Sequence, residues 1–399
     1  MVDFELTEEQ KIFVRTFREW SMENLAPKAR MIDDKSRIPD EVMDGLASQG
    51  ILGLSIPEKY GGSGANMVTC GLAVEEVAYA DISVATAVMT LLNIGWSLVI
   101  SKHGTEELKE EILPQVVAGK KYVGIATTEP QGGSDIAGMT STARLDGDHW
   151  IMNGEKAYIS QVREMGEKGG GYCTVARTDP SKGYKGMNFI FLPMDLPGIE
   201  PTLVHNMGRT GLSTGGFFMK DVKVPVRNTL GEMNKGFYVA MEGFNLARIL
   251  VASACIGCAQ RVLEMGAAYI KERKLFGRPI AKFEGIQFEY SNFATYLEAA
   301  RLMVRKAAWA GDQFLAGKID VHQLALAASQ AKLFAPIECY NIVDGVMTWF
   351  GAYGYSKECE VEMGVRGIRS YSVGAEGAQN VMRLIIGSHL LGPEYSPMK

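Results

Sequence analysis

The amino-acid sequence predicts an α+β fold made of three consecutive parts: an N-terminal helical domain, a central β domain and a C-terminal helical domain. Two changes of pattern along the chain support this prediction. Apolar residues follow helical spacing up to about residue 120, then form short runs between turn residues, and return to helical spacing after Gly236. The expected domains are therefore residues 1–120, 121–235 and 236–399. Strands and helices do not alternate, which argues against a doubly wound sheet.

The N-terminal part begins with a signal for a helix start. Thr7 and Gln10 have the spacing of a capping box, and Phe13, Phe17 and Trp20 continue one apolar face. Further helices are predicted at residues 40–49, 68–80, 84–103 and 106–118.

The central part has the short apolar runs and intervening turns that are typical of strands. Strands are predicted at residues 122–126, 149–153, 172–177, 187–193 and 216–224. Gly169, Gly170 and Gly171 are interpreted as a flexible hairpin tip. Long helices return in the last part, at residues 237–273, 286–316, 320–350 and 381–391.

The bulk properties exclude several classes of protein. A net charge of −5 and a pI near 5.7 argue against nucleic acid as a partner, because binding phosphates needs a basic surface. The chain has neither a G-x-G-x-x-G nor a P-loop motif, so a nucleotide site of either kind is not expected. We find no secretory signal and no stretch approaching about 18 uncharged apolar residues. We therefore expect a cytoplasmic protein without membrane insertion.

The six cysteines are scattered, and only Cys255 and Cys258 form a C-x-x-C pair. Small residues surround this pair, which favours close helix packing over zinc binding. A zinc site would need a second such pair or nearby histidines, so no metal site is expected.

The most informative segment is T-T-E-P-Q-G-G-S-D at residues 127–135, where hydroxyls, paired glycines and an acid fill a short loop. Glycine lets backbone N–H groups approach a ligand closely, so this loop can line a polar planar ligand. Other segments follow the same order as in one known family: I-P-E-K-Y-G-G at 56–62, N-G-E-K-A-Y-I-S at 153–160, D-V-K-V-P at 221–225, E-R-K-L-F-G-R-P-I at 272–280, F-G-A-Y-G-Y at 350–355 and E-G at 376–377. Together they resemble the acyl-CoA dehydrogenases over nearly the whole chain.

The resemblance implies the acyl-CoA dehydrogenase fold, with a β-barrel-like, antiparallel middle domain and a C-terminal four-helix bundle. It also implies FAD as cofactor, an acyl-CoA substrate, a homo-oligomer that is usually a tetramer, and an electron-transferring flavoprotein as partner. The implied reaction removes hydrogen from the α and β carbons of an acyl-CoA thioester and gives the 2-enoyl-CoA.

The same resemblance assigns candidate binding residues. For FAD these are Thr127, Thr128, Tyr158, Ser160, Arg273, Phe276 and Gln287. Tyr158 takes the place of a Trp beside the flavin ring, and Ser160 that of a Thr bonded to flavin N5. Arg273 and Phe276 match residues that hold the pyrophosphate and adenosine of the neighbouring subunit's FAD. For the substrate they are Ser134, Arg248 and Gly377. Thr348 and Gly367 depart from the family pattern, which often has Gln and Asp there.

Glu376 is the predicted catalytic base. The alternative family position for this base, just before Arg248, holds Ala247 and is therefore empty. Val373, Gly374 and Ala375 replace bulkier residues before the base, which indicates room for a branched, cyclic or aromatic acyl group. No Arg lies near residues 82–84 to bind a distal carboxylate, so the chain resembles glutaryl-CoA dehydrogenases less.

Two other interpretations remain open within the same fold. One is an activity like that of the acyl-CoA oxidases, which use O₂ and usually have a longer chain. The other is a flavoprotein that binds DNA or acts as a scaffold without dehydrogenation. The acidic pI and the presence of Glu376 argue against the second.

Overall fold

The structure, a computed structural model, describes residues 5–397. Within these residues the N-terminal part contains six α-helices: α1 (Glu8–Asn24), α2 (Ala29–Lys35), α3 (Asp40–Ser48), α4 (Met67–Ala80), α5 (Ala85–His103) and α6 (Glu106–Val117). The four helices predicted after residue 40 are confirmed to within one residue at each end. The short helix α2 was not predicted, because seven residues carry too little periodicity.

Polar side chains fix where α1 and α5 begin. The predicted capping box is present in α1, where the Thr7 hydroxyl accepts from the Gln10 N–H at 3.2 Å. Before α5, the buried Asp81 carboxylate accepts from the backbone N–H groups of Ser83 (3.1 Å) and Thr86 (3.0 Å). These bonds set the position of α5, which packs against the helix that follows the β domain.

The middle part is a curled sheet of seven strands: β1 (Tyr122–Ala126), β2 (Thr142–Asp146), β3 (His149–Ser160), β4 (Gly170–Arg177), β5 (Met187–Pro193), β6 (Ile199–Val204) and β7 (Thr214–Pro225). Their order is β1-β4-β2-β3-β7-β6, with β5 also paired to β4. The pairs are antiparallel except that β4 runs parallel to β1 and, at one residue pair, to β2. The predicted strands are all present, whereas β2, β6 and the short helix α7 (Val162–Lys168) were not predicted.

The prediction of a flexible hairpin tip at residues 169–171 is wrong. Gly169 ends α7, and Gly170 and Gly171 open β4, where they are buried against Tyr122 and Val123 of β1. A Cβ at Gly170 would overlap the Tyr122 carbonyl, and its φ of +116° lies in a region that side chains rarely adopt. The glycines therefore permit close strand pairing rather than flexibility.

The last part is helical, with α8 (Gly236–Glu272), α9 (Glu284–Leu315), α10 (Val321–Trp349), α11 (Val361–Val373) and α12 (Gln379–Leu391). A two-stranded hairpin, β8 (Lys274–Leu275) and β9 (Arg278–Pro279), connects α8 to α9. Helix α8 lies at the centre and contacts α4, α5, α9, α10 and α11. Cys255 and Cys258 lie buried in α8, as the helix-packing interpretation requires.

Two of the described helices, α5 and α8, are long and apolar enough to cross a membrane by length and composition alone, although the sequence analysis expected none. The most apolar windows of α5 and α8 are 83% and 89% buried within the fold. Such burial is typical of core helices in a folded domain, which explains their composition.

Candidate active site

The segment that carries Glu376, residues 374–378, is called the base loop here and connects α11 to α12. Three consecutive residues in it have positive φ: Ala375 (+54°), Glu376 (+44°) and Gly377 (+119°). For a residue other than glycine this conformation costs on the order of 1–3 kcal/mol and persists only where the surroundings enforce it. Such strain is concentrated at functional sites, and here it presents one carboxylate.

Three cationic side chains surround the half-buried Glu376: Arg209, Arg248 and Lys332. Arg248 is buried on α8, where its Nε donates to the Glu376 carbonyl oxygen at 2.9 Å and its Nη1 to Asn245 Oδ1 at 2.6 Å. Within residues 5–397 none of the three cations forms an ion pair with a carboxylate. Among the described residues Glu376 is thus the only carboxylate that offsets these three positive charges, and the site favours an additional electron-rich ligand.

Burial raises the pKa of Glu376, and the charges of Lys332, Arg209 and Arg248 oppose that shift without reversing it. A carboxylate with a raised pKa is a stronger base at neutral pH than an ordinary glutamate. Burial also lowers the pKa of Arg248 to about 10. Glu376 thus has the environment that a general base requires.

Arg209 was not predicted as a site residue, and it connects the β domain to the base loop. Its Nη1 donates to Ser160 Oγ at the end of β3, at 3.0 Å. The next residue, Thr210, donates its hydroxyl to the Asp33 carbonyl at 2.7 Å, and Arg366 of α11 donates to the Met207 carbonyl at 3.0 Å. These bonds fix the loop before β7. No sequence signal linked residue 209 to residue 376, because only the tertiary fold brings them together.

Residues 127–135, which are predicted to line the flavin and are called the flavin loop here, directly follow β1 and lie beside β3. The Ala157 N–H donates to the Thr128 carbonyl at 2.9 Å, which places Thr127 and Thr128 next to Tyr158. Tyr158 is exposed and has a φ of +57°. Over the part of the chain that the structure describes, the hydroxyls of Thr127, Thr128 and Tyr158 have no hydrogen-bond partner in the protein. Free hydroxyls beside an exposed aromatic ring fit a polar planar group such as an isoalloxazine.

A buried ion pair holds this loop, and sequence reasoning missed its role. Lys156 Nζ lies 2.8 Å from Glu129 Oε1, with side chains that are 0% and 1% exposed. Glu129 also accepts from the backbone N–H groups of Thr140 (2.7 Å) and Ser141 (3.0 Å). Burial alone would raise the pKa of Glu129, yet the charge and hydrogen bond of Lys156 keep it well below its ordinary value. Both residues belong to the quoted motifs, and their opposite charges were the available signal.

The two remaining substrate candidates are placed differently. Gly377 lies against Arg248, because a Cβ there would come within 2.7 Å of Met382 and 3.5 Å of Arg248 Nη2. Ser134 is exposed on the loop that follows β1. The fold thus brings Ser160, Arg248, Glu376 and Gly377 together, with Arg209 between β3 and the base loop.

Arg273, Phe276 and Gln287 lie elsewhere in the chain. Arg273 follows α8 directly, and Arg248 lies 25 residues earlier, which corresponds to ~37 Å along a helix. Phe276 is 94% exposed, and Arg273 and Gln287 are exposed as well. The base loop and this hairpin are therefore well separated along α8. This separation is compatible with the prediction that Arg273 and Phe276 serve the cofactor of a neighbouring subunit.

The chain matches three consecutive models of one family: the N-terminal domain over residues 7–120, the middle domain over 124–222 and the C-terminal domain over 234–391 of acyl-CoA dehydrogenases. The chain belongs to the acyl-CoA dehydrogenase family. Members are oxidoreductases that act on the CH–CH bond of acyl-CoA thioesters, and the family is FAD-dependent. The predicted family, fold class and enzyme class are therefore confirmed.

Individual relatives of this acyl-CoA dehydrogenase have different acyl groups in their names. It is 35% identical to the mitochondrial isobutyryl-CoA dehydrogenase of Dictyostelium discoideum, covering 96% of this chain and 90% of the relative. It is also 35% identical to subunit CarC of the caffeyl-CoA reductase-Etf complex of Acetobacterium woodii, covering 96% and 99%. The solved structure of butyryl-CoA dehydrogenase from Megasphaera elsdenii superposes with a TM-score of 0.90 at 33% identity, covering 98% and 100%.

Proposed function

We propose that this protein catalyses the α,β-dehydrogenation of an acyl-CoA thioester to the 2-enoyl-CoA, with Glu376 as the base and FAD as the cofactor. The observation that carries the proposal is the placement of Glu376. It lies on a strained loop, has a raised pKa and is surrounded by three cations beside Ser160. The alternative base position contributes nothing, because Ala247 has no titratable group.

The proton step belongs to the chain's own residues. Glu376 accepts the proton from the carbon α to the thioester carbonyl, and the positive charges of Arg209 and Arg248 stabilise the negative charge that develops on the substrate. FAD bound beside these residues would supply the acceptor for the hydride that leaves the β carbon. Thr127, Thr128, Tyr158 and Ser160 would hold its ring, since they offer hydroxyls and an aromatic face near the ends of β1 and β3. The substrate thus loses one H⁺ and one H⁻, which leaves a carbon–carbon double bond.

For the acyl group, we propose a branched, cyclic or aromatic substituent. The residues before the base are small: Gly374 has no heavy atom closer than 4.0 Å to the position of a Cβ, and the Val373 side chain points to solvent. Relatives named for isobutyryl and caffeyl groups support the same class.

For the assembly, we propose a homotetramer that passes electrons to an electron-transferring flavoprotein in the cytoplasm. Exposed aromatic residues on α9 and on the adjoining hairpin support self-association, since a monomer rarely leaves so much apolar surface in water. They include Phe276, Phe288, Tyr296 and Trp309. The relative from an Etf complex supports the electron acceptor.

Anaerobic flavin bleaching tests the reaction. The purified protein should be yellow, and one of a panel of linear, branched, cyclic and aromatic acyl-CoAs should bleach its absorbance near the flavin maximum. Glu376→Gln should retain flavin and bind the same acyl-CoA, yet bleach at least ~10²-fold more slowly, because the amide cannot accept the proton. Glu358→Gln, an exposed glutamate before α11, is the matched control and should behave as wild type.

The outcomes separate the alternatives. Full bleaching by Glu376→Gln would contradict the role of Glu376. A protein that no acyl-CoA bleaches would support a flavoprotein without dehydrogenase activity. Rapid reoxidation of the bleached protein by O₂, without an electron-transferring flavoprotein, would support the oxidase-like alternative.

A further inference from the structure

Lys332 is a buried cation in α10 whose partners all belong to one short segment. Its side chain is 1% exposed. The ammonium group donates to the carbonyl oxygens of Tyr371 at 2.8 Å, Gly374 at 3.0 Å and Gly377 at 3.1 Å. All three N–H donors are used, and every acceptor is backbone from the end of α11 or from the base loop. Burying a charged lysine without a carboxylate partner costs free energy, so a functional role would explain why this lysine is buried here.

We propose that Lys332 is the positioning residue of the base loop, holding three carbonyl groups so that Glu376 reaches the α carbon of the acyl-CoA. This inference rests on the proposed function of Glu376. Lys332 itself does not contact the reacting atoms in the scheme. It acts through the backbone on either side of the base.

The backbone geometry explains why the loop needs such a tether. Ala375 and Glu376 both have positive φ, an unfavourable conformation for residues with a Cβ, and Gly374 and Gly377 flank them. Lys332 binds the carbonyls of both flanking glycines, whereas Arg248 binds the carbonyl of Glu376 between them. Two cations on neighbouring helices therefore fix the loop on both sides of the strained residues. Without them the chain is free to relax toward ordinary backbone conformations, which would turn the Glu376 side chain away.

An ammonium suits this task better than a guanidinium. Three carbonyls converge on one point, and –NH₃⁺ offers three donors from one atom, whereas the planar fork of arginine spreads its donors apart. A methionine has a similar length but no donor. Lys332→Met therefore removes the tether with little change in volume, and the exposed Lys306 of α9 provides the control Lys306→Met.

The first measurement is hydrogen exchange of the peptide containing residues 374–378, which needs no substrate. Lys332→Met should exchange there at least ~10-fold faster than wild type, and Lys306→Met should not. The second measurement is turnover. A displacement of about 1 Å at the reacting centre costs ~10²-fold, so Lys332→Met should lower kcat by about that factor with little change in KM.

A purely structural lysine would behave differently. It would lower the melting temperature while leaving kcat per folded, flavin-loaded enzyme unchanged. A positioning residue should also lose its effect when the base is absent, so Lys332→Met should slow bleaching little further in the Glu376→Gln background. Wild-type exchange and wild-type kcat in Lys332→Met would overturn the proposal. If no acyl-CoA bleaches the wild-type protein, the proposed function fails, and the exchange measurement still decides whether Lys332 holds the loop.

The pH dependence of wild-type turnover gives a test that does not require Lys332→Met to fold. Burial lowers the pKa of Lys332 to about 8. Cys255 of α8 and Glu376 oppose this shift, whereas the positive charge of Arg248 on α8 adds to it. Tyr371 of α11 faces the ammonium through its carbonyl. Above that pKa the neutral amine has only two N–H donors, so one carbonyl is released. Turnover should fall as the pH rises through about 8. In Lys332→Arg the charge persists, so any remaining activity should lack this alkaline limb; an unchanged limb would contradict the proposal.

Discussion

At the scale of single residues, two buried lysines hold the loops that carry the candidate site residues of this acyl-CoA dehydrogenase. Glu129 and Lys156 hold the flavin loop, and Lys332 holds the base loop. Both lysines are fully removed from water and surrounded by backbone carbonyls or a carboxylate. Their cost in desolvation is offset by several hydrogen bonds each, which also makes each loop adopt one conformation.

The ion pair in the flavin loop gives a prediction about stability. Lys156→Met should lower the free energy of unfolding by about 3–5 kcal/mol, because Glu129 is left charged and unpaired inside the protein. Chemical denaturation with far-UV circular dichroism would measure this. The control is Lys59→Met, which breaks an exposed pair with Glu106 and should cost no more than about 1 kcal/mol. Equal losses in the free energy of unfolding would show that the buried pair contributes no more to stability than an exposed pair. The double variant with Glu129→Gln should recover part of the loss.

At the scale of elements, sequence patterns predicted the long helices and the most apolar strands well. Helices α4, α5, α6 and α10 begin and end within one residue of the predicted bounds, since long apolar stretches mark them and capping residues precede α4, α6 and α10. Strand β6 was missed because most of its residues face solvent, so it has no apolar run. The glycines at residues 169–171 were misread because glycine permits both flexibility and close packing, and only the partner strand decides between them.

The site was predictable to the extent that its residues belong to local motifs. Glu376, Arg248 and Ser160 are candidates because of their neighbours in sequence, and the fold brings them together. Arg209 and Lys332 were not predicted, because nothing within a few residues of either one marks a contact with the base loop. Their roles arise from long-range packing between α8, α10 and the loop before β7.

Packing between α4 and α8 gives a prediction at the scale of elements. A Cβ at Gly257 of α8 would overlap the Glu75 carbonyl of α4, so Gly257→Ala should force the two helices apart. We expect a lower melting temperature and reduced soluble yield. Gly285→Ala in α9 is the matched control, since no atom lies within 4 Å of its Cβ position. That change should not lower the melting temperature, because alanine is at least as favourable as glycine in a helix. If both variants melt alike, the close approach of the two helices is not required.

At the scale of the whole molecule, the candidate site residues fall into two groups that are separated along α8. The base loop contacts α8 at Arg248, and the hairpin with Arg273 and Phe276 follows the C-terminal end of this helix, ~37 Å further along it. A guanidinium is well suited to pyrophosphate, and an exposed phenylalanine is well suited to stacking or apolar contact. We therefore expect these groups to bind the cofactor of a neighbouring subunit.

This separation leads to a prediction that couples cofactor content to assembly. Arg273→Ala should lower bound flavin per chain several-fold and shift the protein toward smaller species, because the pyrophosphate of a neighbouring subunit's FAD loses its paired donor. The flavin-to-protein absorbance ratio and light scattering after size-exclusion chromatography would measure both quantities on the same sample. Lys274→Ala, the next residue in the exposed hairpin, removes a charge beside it and should leave both unchanged. An Arg273→Ala protein that keeps full flavin as a monomer would show that each chain binds its cofactor alone, and a wild-type protein that is monomeric and yellow would show the same without any substitution.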